Sequence, residues 1–297
     1  MASRSSDLPA FTESTFQYTQ PPNPSFKFGQ KVDATPEGKA WADGEKEGWK
    51  VIETDKEDPM KLVLSSIITV WSKLLEYSFD SKYPLMISAI TPRPVAFVST
   101  ISDTGVENLG LMSWFNMVTA YPALISISVA IVNNKVKDTT RNILATKEFT
   151  VNIISVPWID NANACSIDAP ADVSEWALSG LTKAPSVHVK PPRVKESAFS
   201  MECELFQTID ITHPESGVKS TTLILGRVKY IHVRRDTLNE RGNVDPDKLK
   251  PIGRLGDILY ASLGGGFRIP RPSWAVEGEN VLELEKEDAG IRQPSGL

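Results

Sequence analysis

The stretch from Thr91 to Asn116 constrains the fold of this chain more than any other. It reads Thr91-Pro-Arg-Pro-Val-Ala-Phe-Val-Ser-Thr100, then Ile-Ser-Asp-Thr-Gly105, then Val-Glu-Asn-Leu-Gly-Leu-Met-Ser-Trp-Phe-Asn116. β-Branched and aromatic residues crowd Val95 to Ile101, which predicts a strand. Ser102-Asp103-Thr104-Gly105 predicts a tight turn, because Gly105 tolerates a positive φ. Val106 to Met112 is then the return strand. Ser99 and Thr100 close the first strand with adjacent hydroxyls, and hydroxyls with backbone amides at a strand end can hold a phosphate. Asn108, Ser113 and Asn116 offer amides and a hydroxyl that can match the edge of a flat heteroaromatic ring. The same side chains equally suit the plain finish of a hairpin, and the residues alone leave both readings open.

From Pro84 onward the pattern turns to strands. Leu124–Ile131, Phe149–Ile154, Phe199–Ile211 and Thr222–Val233 read as further strands. A short helix is expected over Asp138–Leu144, with Asp138 as its cap. A loop-and-helix insertion is expected from Trp158 to Leu178, ended by Gly180. Residues 236–257 are polar and contain Gly and Pro. Six or more strands with scattered short helices predict a mainly β fold, a barrel with peripheral helices. That domain should span 58–275. Residues 1–57, rich in Pro, Ser, Lys and Glu, are expected to be an N-terminal extension, partly disordered and partly wrapped on the body. Asp58-Pro59 should open a helix running through about Tyr77. The acidic segment 276–297 is expected to be a tail with a weak helix.

Bulk properties exclude several classes. Of the 297 residues, 41% are hydrophobic, enough for a sizeable core. The net charge of −5 argues against nucleic acid as a partner. Met1 to Gln20 is polar and lacks a signal-peptide core, and the most apolar helical run, Leu62–Leu75, is too short to span a bilayer. A soluble, cytoplasmic protein is expected. Two cysteines, Cys165 and Cys203, read as reduced structural thiols with no zinc pattern. His188, His213 and His232 adjoin no nucleophile motif, and no P-loop, H-E-x-x-H or G-x-S-x-G is present. Gly264-Gly265-Gly266 lacks dinucleotide-binding spacing. No catalytic residue is identifiable, which leaves chemistry to a cofactor.

Two other elements bear on that cofactor. In Lys137-Asp138-Thr139-Thr140, Thr139 and the free amides of the following helix form an anion site, and Lys137 adds charge. An ordinary capped surface helix explains the same residues. Further on come Gly253-Arg-Leu-Gly256, Tyr260 and Phe267-Arg268-Ile-Pro-Arg271-Pro272. Tyr260 and Phe267 can flank a planar ring, and Arg268 or Arg271 can reach a phosphate. A barrel-closing segment that only packs is the competing reading.

Four pieces in order, Thr91–Thr100, Asn108 with Ser113–Asn116, Lys137–Thr139 with Asn142 and Glu148-Phe149, and Gly253–Pro272, resemble the flavin reductase-like family of FMN-binding split β-barrels. The similarity covers about Tyr83 to Pro272. The resemblance implies a homodimer that binds FMN near the subunit interface. It implies a ring lying over Asn108, Leu109, Met112, Ser113, Trp114, Phe115 and Asn116. The phosphate would sit near Ser99, Thr100, Lys137, Asp138 and Thr139, with Arg93, Pro94 and Val95 bordering the pocket and Tyr260, Phe267 and Arg268 contributing from the C-terminal side. It further implies hydride transfer from NADH or NADPH to flavin N5. An FMN-binding electron carrier, or an FMN enzyme for a specific organic substrate, are the alternatives within that resemblance. Met112 and Trp114 are bulkier than the family's usual residues and would narrow the nicotinamide side.

Overall fold

The computed structural model describes residues 10–12, 15–26, 30–43, 82–131, 135–214 and 216–292. The helix expected from Asp58 to Tyr77 lies outside the described residues. In chain order the elements are β1 (Gln17–Thr19), α1 (Pro36–Asp43), α2 (Lys82–Ala89), β2 (Arg93–Pro94), β3 (Ala96–Ile101), β4 (Glu107–Met112), β5 (Phe115–Ala120) and β6 (Ala123–Ala130). They continue with α3 (Asp138–Thr146), β7 (Glu148–Ile153), α4 (Ile159–Ala164), α5 (Glu175–Ser179), β8 (Lys183–Ala184), β9 (Arg193–Val194), β10 (Phe199–Thr212) and β11 (Lys219–Val233). The last are α6 (Pro246–Leu249), β12 (Ile252–Arg254), β13 (Tyr260–Ser262), β14 (Gly265–Phe267) and α7 (Trp274–Arg292). The chain divides into two units, residues 1–14 with 54–263, and residues 15–53 with 264–297.

The first unit is built on a seven-stranded sheet in the order β4-β3-β7-β10-β11-β6-β5. A three-stranded sheet, β13-β12-β2, stands apart from it. This is the mainly β, split-barrel architecture with peripheral helices that the sequence predicts. The hairpin of β3 and β4 is as expected, with Ser99 opposite Leu109 and Gly105 at φ 90° in the turn.

Alternation along β3 explains its unbroken apolar run. Ala96 and Val98 enter one buried cluster with Ile127, Phe149, Val151 and Ile224. Val95 and Phe97 enter a second, with Leu109, Trp158, Trp176 and Ile252. Successive strand side chains point to opposite faces, so a strand covered on both sides is apolar throughout. Packing is close enough to dictate a glycine. A β-carbon on Gly226 would lie 2.4 Å from Cζ of Phe149, so the ring occupies the space a side chain would need.

Two local expectations fail. The segment after Tyr83 is helical, as α2, where strands were expected; Pro84 is the third residue of that helix, where its missing N–H has no intrahelical role. Asp138 does not cap α3. The cap position falls on Lys137, which makes no side-chain capping bond, and the Asp138 carboxylate pairs with Arg141 instead. Strand β5 was also not foreseen; Phe115 at its start packs against the first core cluster.

One buried carboxylate ties a loop to the sheet. Glu202 on β10 is fully buried and accepts hydrogen bonds from the amides of Val187 (2.8 Å), His188 (2.6 Å) and Val189 (3.2 Å) and from Nε2 of His232 (2.6 Å). Burial alone would push its pKa up. The bonds from His232 and from the amides of His188 and Val187 reverse that and hold it below the usual carboxylate range.

In the second unit β1 pairs parallel with β14. A β-carbon on Gly266 would meet the Phe16 ring at 2.9 Å, so this glycine serves close strand packing. The expected helix in the acidic tail is present as α7.

Candidate functional site

A cavity of about 420 Å³ opens where the return strand β4 meets the start of α3. Its walls are the β4 residues Asn108 to Met112, then Lys135 and Lys137 to Thr139, then Cys165 to Ala169, with Glu175 of α5. That volume lies within the range of small-molecule pockets.

A polar network underlies the cavity. Asn108 Nδ2 donates to Glu175 Oε2 at 2.9 Å, and the Leu109 amide donates to the same oxygen at 3.0 Å. Asn108 Oδ1 accepts from Thr139 Oγ1 at 3.1 Å and from Thr100 Oγ1 at 3.4 Å. Asn142 Nδ2 in turn donates to Thr100 Oγ1 at 2.9 Å. The network locks β4 to α3 and fixes which way Thr139 faces. Gly110 lets the two approach: a β-carbon there would come within 2.9 Å of Thr139 Oγ1 and 3.1 Å of Met112 Cε.

The end of α3 beside this cavity gathers charge of both signs, with Asp138 of its first turn held by Arg141. Its first amides have no side-chain cap, and the macrodipole places partial positive charge there. Lys137 and Lys135 add full charges; Lys135 is 3.9 Å from Asp168, and the exposure of both groups makes that pair weak. Glu175, also on the wall, is turned toward Asn108 and the Leu109 amide. On the same wall, burial and then the nearby Glu175 carboxylate push the Cys165 thiol up to about 12. Both cysteines are free and buried, and burial raises Cys203 as well.

The sequence-predicted residues distribute as follows. Asn108, Leu109, Met112, Lys137, Asp138 and Thr139 line the large cavity. Arg93, Val95, Ser113 and Tyr260 line a smaller one, of about 150 Å³, which shares Leu111 and Ser166 with it. Ser99 and Thr100 are fully buried and line neither, because both faces of β3 are covered. Pro94 pairs with Gly253 in the three-stranded sheet. Trp114 packs edge-on to Tyr83 with ring centroids 6.3 Å apart, Phe115 is half-buried against the first core cluster, and Asn116 Oδ1 accepts from the Met117 amide. Phe267 lies on β14 in the second unit, where the Arg268 guanidinium stands over the Tyr18 ring at 5.9 Å.

The wall residues that sequence reading missed are Gly110, Leu111, Lys135, Cys165 to Ala169 and Glu175. A glycine inside a strand was a usable signal for close approach at Gly110. Nothing local in the sequence announces that residues 165–169 or Glu175 return to β4. Among the described residues no cluster of His, Cys, Asp and Glu could hold a metal ion, and no helix is long and apolar enough to cross a membrane.

Comparison with known proteins places this architecture. The model of the flavin reductase like domain matches residues 88–251, and the chain belongs to that family. An uncharacterised protein of Aquifex aeolicus is 37% identical over 191 residues, covering 64% of this chain and 94% of that one. Among solved structures, nitrilotriacetate monooxygenase component B from Bacillus cereus aligns with a TM-score of 0.64 and 32% identity over 74% of this chain and 98% of that one. Flavoredoxin of Desulfovibrio vulgaris, at 22% identity and a TM-score of 0.50 over 62% of this chain and 92% of that one, shares the fold.

Proposed function

We propose that this chain is a flavin-dependent oxidoreductase that holds FMN in the larger cavity and is reduced by NADH or NADPH. The observation that carries this reading is the uncapped start of α3, flanked by Lys135 and Lys137, on the wall of a cavity of about 420 Å³. A phosphate is the natural ligand of such an end. Thr139 stands beside it, oriented by Asn108, and the missing side chain of Gly110 lets Thr139 sit close against β4. The residues present therefore fit a phosphorylated planar ligand. Lys137 and the amides of α3 would hold its phosphate, and the β4 backbone from Leu109 to Met112 would border its ring.

Bound there, the flavin would supply hydride acceptance from the nicotinamide and onward electron transfer. The chain's part is to bind, orient and exclude water, which agrees with the lack of an acid–base dyad in the sequence. Trp114, braced by Tyr83, is placed to restrict what approaches from the Ser113 side.

The homodimer and the cytoplasmic location belong to the same proposal. The β10–β11 hairpin carries exposed Ile209 and Ile211, which their two-residue spacing puts on one face of β10, an apolar surface that a second copy would cover. Size-exclusion chromatography with light scattering tests that, and a monomer at micromolar concentration contradicts it.

The function is tested by the visible spectrum of the FMN-loaded protein before and after NADH or NADPH under anaerobic conditions. Loss of the flavin band supports the proposal. A band that neither nucleotide bleaches favours the electron-carrier alternative, and failure to bind FMN overturns both.

A further inference from the structure

The smaller cavity holds more positive charge than the described residues neutralise. Arg93 and Arg254 both line it, with Tyr83, Ser113, Ser166 and Tyr260. Arg93 is buried, and among the described residues every partner of its guanidinium is a neutral carbonyl. Its Nη1 donates to Ile87 O and to Ile90 O (2.7 Å), its Nη2 donates to Leu255 O (2.7 Å), and its Nε has no partner. Arg254 stacks on the Tyr260 ring at 4.3 Å and donates Nη2 to Asp257 O at 2.8 Å. Among the described residues neither guanidinium has a carboxylate within ion-pair distance. Asp257 lines the cavity too, so the lining carries two positive groups and one negative.

The three carbonyls explain how Arg93 ties the end of α2 to the segment after β12. They do not cancel its charge. Burying an unpaired charge is costly, and the planar fork of arginine matches an oxyanion. At about 150 Å³ the space takes a small head group and no tricyclic ring. Tyr260 is committed to Asn163 Oδ1 (3.0 Å), and burial raises its pKa, so it stays neutral and adds no competing anion.

We propose that this cavity is an oxyanion subsite, in which Arg254, with the buried charge of Arg93, receives the carboxylate or phosphate of a second small molecule. Because Leu111 and Ser166 line both cavities, that molecule would lie against the flavin. The adjacency to flavin rests on the function proposed above, whereas the subsite itself does not.

The test is calorimetric titration of the FMN-loaded protein with inorganic phosphate and, separately, with benzoate, at ionic strength matched with chloride. The wild type should bind at least one of the two, the stronger identifying the head group. Arg254→Gln should weaken that binding about tenfold or more and leave FMN affinity within about twofold, and Arg254→Lys should fall between. Failure of both anions to bind, or equal binding by Arg254→Gln, overturns the proposal. A parallel loss of FMN affinity also overturns it, because the cavity would then serve the flavin. Should FMN not bind at all, the flavin reading fails alone. The titrations are then repeated on unliganded protein, where anion binding lost in Arg254→Gln and kept in Lys137→Gln supports the subsite, and the reverse pattern overturns it.

Discussion

Replacing Glu202 with glutamine should cost this fold a large share of its stability. Oε1 accepts from the Val187 amide and His232, and Oε2 from the amides of His188 and Val189. A glutamine of the same shape keeps one acceptor oxygen and best turns its NH₂ toward Val187 and His232. There His232 can accept it by switching tautomer, but the Val187 amide loses its acceptor in a fully buried place, and the remaining bonds lose the charge that strengthened them. Hydrogen bonds to a charged group contribute about 1.5–3 kcal/mol each, so the expected loss is about 3–5 kcal/mol, close to the cost of breaking a buried ion pair. That is a large fraction of the roughly 5–15 kcal/mol that stabilises a typical domain.

The sign of the pH dependence follows from the depressed pKa of Glu202. Its contribution is fully present above the unfolded-state value of about 4.3 and is lost as pH falls through the lower folded value. Denaturant unfolding of wild type and Glu202→Gln should therefore show a wide gap near neutrality that narrows in acid. A gap under about 1 kcal/mol at neutral pH, or one that does not change with pH, refutes the reasoning.

Other outcomes are specific to single contacts. Gly110→Ala should weaken FMN binding about tenfold by displacing Thr139, read by flavin fluorescence titration, and unchanged affinity would separate this wall from the flavin site. Gly226→Ala should destabilise by about 1–3 kcal/mol through collision with Phe149, and Phe149→Leu should recover part of that in the double variant. Cys165 and Cys203, both buried with raised pKa values, should resist a thiol-disulfide reagent in the native state at mildly alkaline pH and react after unfolding; rapid native labelling contradicts the burial.

Much of the barrel was legible because its signals are local. The β-branched and aromatic residues of Val95 to Ile101, the Ser-Asp-Thr-Gly turn and the long strands around Met201 and Ile224 each declare themselves within about ten residues. Helix α2 was hidden by Pro84, which looks like a breaker until its place in the first turn is known. The site was half legible. Lys137 and Thr139 sit on the cavity as the helix-tip argument required, although Asp138 gave up the cap to pair with Arg141. Ser99 and Thr100 failed to line it because local sequence does not reveal that both faces of β3 are covered. Asn108, expected to face a ligand ring, has its amide spent on Glu175, Thr139 and Thr100. The Glu175 contact spans 67 positions, and no spacing rule reaches that far.

The account rests on a phosphate gripped by the tip of α3, and comparing FMN with riboflavin tests that grip most directly. Titrated into flavin-free protein and followed by fluorescence, FMN should bind about tenfold or more tighter than riboflavin. Lys137→Gln should close most of that gap while leaving riboflavin unchanged. Equal affinities for the two flavins in the wild type, or a gap that survives Lys137→Gln intact, would contradict the assignment.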